Sequence, residues 1–163
     1  HPKAVSTFDE IADGAFRPVL DDAAFAAGGA AGVRRVVVAS GKLVYELLAA
    51  REKAGRPDVA IVRLEELYPF PGEALGRAIA RYPQDAALVF AQEEPKNMGA
   101  WRFVREQFLD GAVAGTDPKR PLRYAGRRAS ASPAPGSHHV FAMEQEAIAA
   151  DALGIEAEVP AKI

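Results

Sequence analysis

The chain contains no cysteine. A disulfide framework, a thiolate nucleophile and a thiolate metal site are therefore excluded. It has no apolar run approaching the roughly 20 residues that a membrane-spanning helix needs. It also lacks a dominant charge. Lys and Arg number 20 against 22 Asp and Glu, a formal net charge of -2, so nothing points to a nucleic-acid or acidic-membrane partner. Histidine is scarce. The adjacent pair His138-His139 points in different directions on a helix, and no third ligand lies at a zinc-like spacing. No serine stands in a G-x-S-x-G elbow, and neither a phosphate loop nor a dinucleotide fingerprint occurs. What remains is 163 residues, 49% hydrophobic and 26% charged. That is one soluble globular domain with enough chain for a core. The chain opens on His1-Pro2-Lys3 without a signal-peptide pattern and reads as a piece of a longer polypeptide. The missing cysteine fits a reducing compartment. The expected location is a bacterial cytoplasm, with the mitochondrial matrix as the alternative.

Residues 1–32 read as a lead-in and linker from a preceding domain, with the glycine-rich stretch 22–32 as a flexible loop or an alanine-rich turn. Residues 33–163 read as a carboxy-terminal α/β domain. Val36-Val37-Val38-Ala39 is a continuous run suited to a strand buried on both faces. Ser40 is a candidate helix cap and Gly41 permits a tight turn. Leu43, Val44, Leu47 and Leu48 then repeat at helical spacing as far as Gly55-Arg56-Pro57. A strand is expected over Val59 to Leu64. Pro71 marks a helix start with Leu75, Ala78 and Ile79 as its buried stripe. Further strands are expected over Ala86 to Ala91 and Leu122 to Ala125. Between them Trp101, Val104 and Phe108 mark a helix, and His139 to Leu153 closes the fold before Gly154. Strand and helix alternate about every 25 residues, which implies a three-layer α/β domain with a mainly parallel sheet.

Three polar features invite a chemical reading. The Ser40-Gly41-Lys42 turn could hold an anion at a helix amino terminus, or serve only as a turn. Glu93 and Glu94 follow a strand at the edge where open α/β sheets bind ligands. They could act as acid and base, or simply form ion pairs. Arg120, Arg123, Arg127 and Arg128 fall within nine positions and suit carboxylate or phosphate contacts, or a solvated face. An unpaired carboxylate at the mouth of a buried sheet is costly. Glu93 or Glu94 is therefore expected to pair with an arginine of the 123–128 loop. Trp101 is expected to anchor the domain.

The strings LYPFP at 67–71, QEEPKNMGAW at 92–101 and RYAGRRASASPA at 123–134 resemble the carboxy-terminal region of the 2-oxoglutarate dehydrogenase decarboxylating subunit. RVVVASGKLVYELLAAR at 35–51, DVAIVRLEELYPFP at 58–71 and HPKAVSTFDE at 1–10 fit the same family. The resemblance implies a transketolase carboxy-terminal-like domain that buttresses a homodimer. It also implies a parent subunit that binds thiamine diphosphate and magnesium between its upstream domains and passes a succinyl group to the lipoyl arm of a partner succinyltransferase. The family's diphosphate motif, a GDG followed by a metal-binding Asn, is absent from this chain, as are its upstream catalytic histidines. No catalytic, cofactor or metal residue is carried over, and the fragment alone is expected to be inactive. Glu93, Glu94, Asn97, Trp101, Arg123, Arg127, Ser130 and Ser132 are candidates for structural or interface roles. The chain departs from the family at Arg128, where a proline is common, and at Phe141, where a histidine is common. Some actinobacterial members are similar but bind acetyl-CoA as an activator. Lys3 and Ser6 match part of that site. Glu66 replaces a glutamine, and Glu73 and Ala74 replace a pair of arginines, so a phosphate would be repelled. Two other readings stay open: a stand-alone regulatory module binding a nucleotide or CoA, and the same domain of another oxoacid dehydrogenase.

Overall fold

The computed structural model describes residues 4–155. Five strands form one sheet in the order β1-β3-β2-β4-β5. They are β1 (Val19–Leu20), β2 (Arg35–Ala39), β3 (Val59–Leu64), β4 (Ala87–Ala91) and β5 (Leu122–Ala125). β2 is central and runs parallel to β3 and β4, with Arg35 beside both Val59 and Ala87. β5 continues the parallel set. β1 alone is antiparallel, with Val19 opposite Leu64. The helices are α1 (Phe8–Ala12), α2 (Leu43–Lys53), α3 (Gly72–Ile79), α4 (Trp101–Leu109) and α5 (His138–Leu153).

The continuous apolar runs of β2, β3 and β4 follow from burial on both faces, because successive strand residues point to opposite sides. Val36, Val38, Ala60, Val62, Leu88 and Phe90 join Leu75 and Ile79 of α3 and Trp101, Val104 and Phe108 of α4 in one core. Val37, Ala39, Val59, Ile61, Val89 and Ala91 join Leu43, Val44 and Leu47 of α2 and Ile148, Ala149, Ala152 and Leu153 of α5 in the other. The result is the expected three-layer α/β domain. α5 stops at Gly154, whose φ of 65° suits glycine.

Ser40 does not cap α2. The cap position is Lys42, with no side-chain cap bond, because the left-handed Gly41 at φ 65° carries the chain one step further before the helix begins. Residues 18–33 pack closely against the sheet. The amides of Glu65 and Glu66 donate to Pro18 O at 2.9 and 3.2 Å. The Asp22 carboxylate, buried, accepts from Ile61 N at 2.8 Å and contacts Arg51. Two short 3-10 turns, Ala23–Phe25 and Ala30–Gly32, follow. Phe25 enters the core edge-on to Tyr82 at 5.8 Å.

Candidate functional site

The loops after β2, β4 and β5 leave the carboxyl edge of the parallel sheet together. Gln92, the first residue after β4, is buried and organises the second of them. Its amide nitrogen donates to the carbonyls of Glu94, Pro95 and Met98 at 3.1, 3.2 and 2.9 Å. Its amide oxygen accepts from Trp101 N at 2.8 Å. One side chain thus folds the loop back on itself and fixes the first turn of α4, satisfying backbone groups that burial would otherwise leave unpaired. Gly99 takes φ 64°, and a Cβ there would come within 2.9 Å of the Gln92 amide, so the turn needs glycine.

The β4 and β5 loops are joined along a seam. Gln92 N donates to Ala125 O and Lys96 N to Arg127 O, both at 3.1 Å. The Tyr124 hydroxyl lies 2.8 Å from Arg127 O and 3.2 Å from Glu94 O. Asn97 and Ser130 exchange two bonds of 2.9 Å each, Asn97 Nδ2 to Ser130 O and Ser130 N to Asn97 Oδ1. Ser132 N donates to Ser130 Oγ at 3.1 Å, and its hydroxyl donates to Ala134 O at 2.7 Å. A Cβ on Gly126 would lie 2.5 Å from the Tyr124 hydroxyl, so this close approach also selects glycine.

The expected carboxylate–arginine pair does not form. Among the described residues neither Glu93 nor Glu94 is bridged to an arginine. Glu93 instead lies 3.3 Å from Lys42 Nζ and accepts from Gln145 Nε2 at 2.6 Å. Arg127 Nε sits 2.7 Å from Glu144 Oε2, and its Nη1 donates to Pro133 O at 2.8 Å. The cause is α5. It returns across both loops and places Glu144 and Gln145 between the groups expected to meet. Glu94 is exposed and joins the seam through its carbonyl. Nor do the four arginines make one patch. Arg120 reaches the opposite edge of the sheet and donates to Ala86 O at 2.5 Å. Arg123 is exposed on β5 beside Arg35, whose pKa is lowered by burial first and by Arg123 second. Only Arg127 and Arg128 stay at the loop, lining a cleft of about 430 Å³ with Ser130, Glu144 and Asp151.

Lys42 is held by Glu46 at 2.7 Å as well as by Glu93. Its pKa is raised, first by the hydrogen bond to Glu46, so it is a fixed cation rather than a base. Gln145 Nε2 also donates to Glu46 at 2.8 Å, which closes a polar junction between α2, α5 and the β4 loop. Trp101 is buried, stacked on Phe90 at 6.2 Å and tilted on Tyr124 at 5.1 Å. Ser6 is exposed and lines a separate groove with Glu10, Arg17, Arg63 and Glu65. Lys3 lies outside the described residues. Glu73 is 3.5 Å from Arg77 on the surface of α3. No group of three or more His, Asp or Glu suited to a metal occurs among the described residues. Nor is any helix there long and apolar enough to cross a membrane.

Sequence reasoning overlooked Gln92, Tyr124, Glu144 and Gln145. The signal for Gln92 was an amide at the end of an all-apolar strand, where a buried polar group must find several partners.

A model of the family described as 2-oxoglutarate dehydrogenase C-terminal matches residues 5–153. The chain is 43% identical to a 2-oxoglutarate dehydrogenase E1 component from Brucella anthropi, over 94% of this chain and 16% of that protein. It is 42% identical to the E1 components of Brucella ovis and Brucella canis over the same shares. The chain therefore spans about a sixth of the length of the curated relatives it matches.

Proposed function

Because the chain belongs to the 2-oxoglutarate dehydrogenase C-terminal family, we propose that it is the structural and dimerisation domain of a thiamine-diphosphate-dependent subunit. That subunit oxidatively decarboxylates 2-oxoglutarate and transfers the succinyl group to a lipoyl arm. Its partners are the upstream domains of the same polypeptide, a second subunit and a lipoyl-bearing succinyltransferase, in a bacterial cytoplasm.

The observation that supports a structural role most directly is the use made of the sheet's carboxyl edge. Open α/β sheets bind ligands there. In this chain Gln92 fills that edge with four hydrogen bonds to its own loop, and Tyr124 and Asn97 stitch the next loop over it. The acidic residues do not suit a magnesium diphosphate either. Glu93 is already engaged by Lys42 and Gln145, and Glu144 by Arg127. The residues present do not fit the cofactor, and it is assigned to the upstream domains. The alternative of a nucleotide or CoA module built on the Ser40-Gly41-Lys42 turn has less support, since Lys42 is committed to two carboxylates.

Sedimentation of the full-length subunit, compared with a version ending before the residue equivalent to Val33, tests the dimerisation role. The expected result is a dimer Kd at least about tenfold weaker without the domain, which is a loss of about 1.4 kcal/mol or more. An unchanged Kd removes that role.

A further inference from the structure

The amino-terminal segment presents an apolar surface that this domain does not cover. Val5, Phe8, Ile11 and Phe16 are 76%, 85%, 73% and 71% exposed. Phe8 and Ile11, three apart on α1, share one face of that helix. α1 buries none of its residues, and an isolated helix of five residues is far below the length that persists in water by propensity. It is nevertheless specified in detail. Thr7 and Glu10 form a reciprocal capping box, Glu10 N to Thr7 Oγ1 at 3.2 Å and Thr7 N to Glu10 Oε2 at 2.9 Å. Glu10 also pairs with Arg17 at 2.7 Å. A Cβ on Gly14 would meet Glu10 O at 2.0 Å, so the exit turn requires glycine. A locally specified helix that covers nothing at home, with four large exposed apolar side chains interleaved in sequence with Asp9, Glu10, Asp13 and Arg17, has the mix of apolar and polar groups of an interface.

We propose that Val5, Phe8, Ile11 and Phe16 are a docking strip for the preceding part of the same polypeptide, seated in an apolar groove there. The proposal rests on the reading of this chain as the carboxy-terminal domain of a larger subunit. The relatives leave more than four fifths of their length beyond the matched region, and a region described as C-terminal has that remainder ahead of it. The strip lies where such a remainder joins, so docking closes only a short loop and its entropic cost is small. Residues 18–33, fastened to the sheet through Pro18, Asp22 and Phe25, hold the strip at a fixed place on this domain.

Hydrogen exchange in the full-length subunit tests this. Amides of residues 8–16 should exchange at least tenfold more slowly than in the Phe8→Asp/Ile11→Asp variant, with β2, β3 and β4 equally protected in both. Should the double variant fail to fold, Ile11→Ala should speed chymotryptic cleavage after Phe16 several-fold. Sedimentation of the same variants reads the dimer separately, so failure of the dimerisation reading leaves this result untouched. Equal exchange of residues 8–16 in wild type and variant overturns the proposal. So does protection that appears only as subunit concentration rises, which would name a second copy, or only with phosphatidylglycerol vesicles, which would name a membrane.

Discussion

At the scale of single residues, two buried side chains carry the β4 loop by different physics. Trp101 contributes area and shape. Its ring is enclosed by Phe90 and Tyr124, and its removal leaves a cavity that a closed three-layer core cannot readily fill. Trp101→Ala should destabilise the domain by about 3–5 kcal/mol, measured by urea unfolding of the purified chain. A midpoint unchanged within error would show that the ring is dispensable. Gln92 contributes hydrogen bonds instead. Gln92→Leu keeps the volume but abandons these contacts and strands the Trp101 amide and Met98 O, while Pro95 O keeps Met98 N at 2.7 Å and Glu94 O keeps the Tyr124 hydroxyl at 3.2 Å. The side chain gives up two amide hydrogens and one acceptor, so at about 1 kcal/mol per bond the expected loss is about 3 kcal/mol. The mobility of the loop should increase with it, seen as faster amide exchange at Trp101. A loss below about 1 kcal/mol would mean that water replaces the amide without penalty. Trp101 was legible in the sequence because it opens a helical stripe with Val104 and Phe108. Gln92 was legible only in part: an amide after an all-apolar strand must find partners, but nothing in a string of residues says that it finds them in its own loop.

At the scale of elements, legibility followed burial. β2, β3 and β4 are continuous apolar runs because both faces are covered, and α3 and α4 show their buried stripes at helical spacing. β1 escaped notice because two residues hold no periodicity; its existence depends on the exposed edge of β3. α1 escaped because its apolar residues meet nothing in this domain. The polar pairing at the loops was misjudged for a related reason. Proximity along two strands suggested Glu93 or Glu94 for the arginine loop, but the choice was made by α5, which crosses both loops and brings its own Glu144 and Gln145. A pair of double-mutant cycles separates the two arrangements. Arg127 and Glu144, with the guanidinium largely buried and the carboxylate partly open, should couple by about 1 kcal/mol. Arg127 and Glu94 should couple by nothing measurable. Substantial coupling in the second cycle and none in the first would restore the original expectation and displace α5 from its role.

At the scale of the whole molecule, the question is whether this domain takes any share in cofactor binding. The sheet edge that doubly wound proteins reserve for ligands is occupied here by the chain's own loops, tied to each other by Tyr124 and by the Asn97–Ser130 exchange. A magnesium diphosphate needs several carboxylate, carbonyl or water oxygens around the cation and donors around the phosphates. Of the carboxylates at this edge, Glu46 and Glu93 are spent on Lys42 and Glu144 on Arg127, and Glu94 alone is a single carboxylate, too few for the cation. To bind a magnesium ion, Glu93 would have to leave both Lys42 and Gln145. That would leave Lys42 to Glu46 alone and open the junction that joins α2 to the β4 loop. The phosphates would gain only Arg128 from the arginine loop without breaking the Arg127 pair. Calorimetric titration of the purified chain with thiamine diphosphate in excess magnesium should therefore show no saturable heat at cofactor concentrations up to about a hundred times the micromolar range that defines specific small-molecule binding. The same titration with the full-length subunit is the positive arm. Micromolar binding to the chain alone, abolished by Glu93→Gln, would place part of the cofactor site on this domain and overturn its assignment as a purely structural unit.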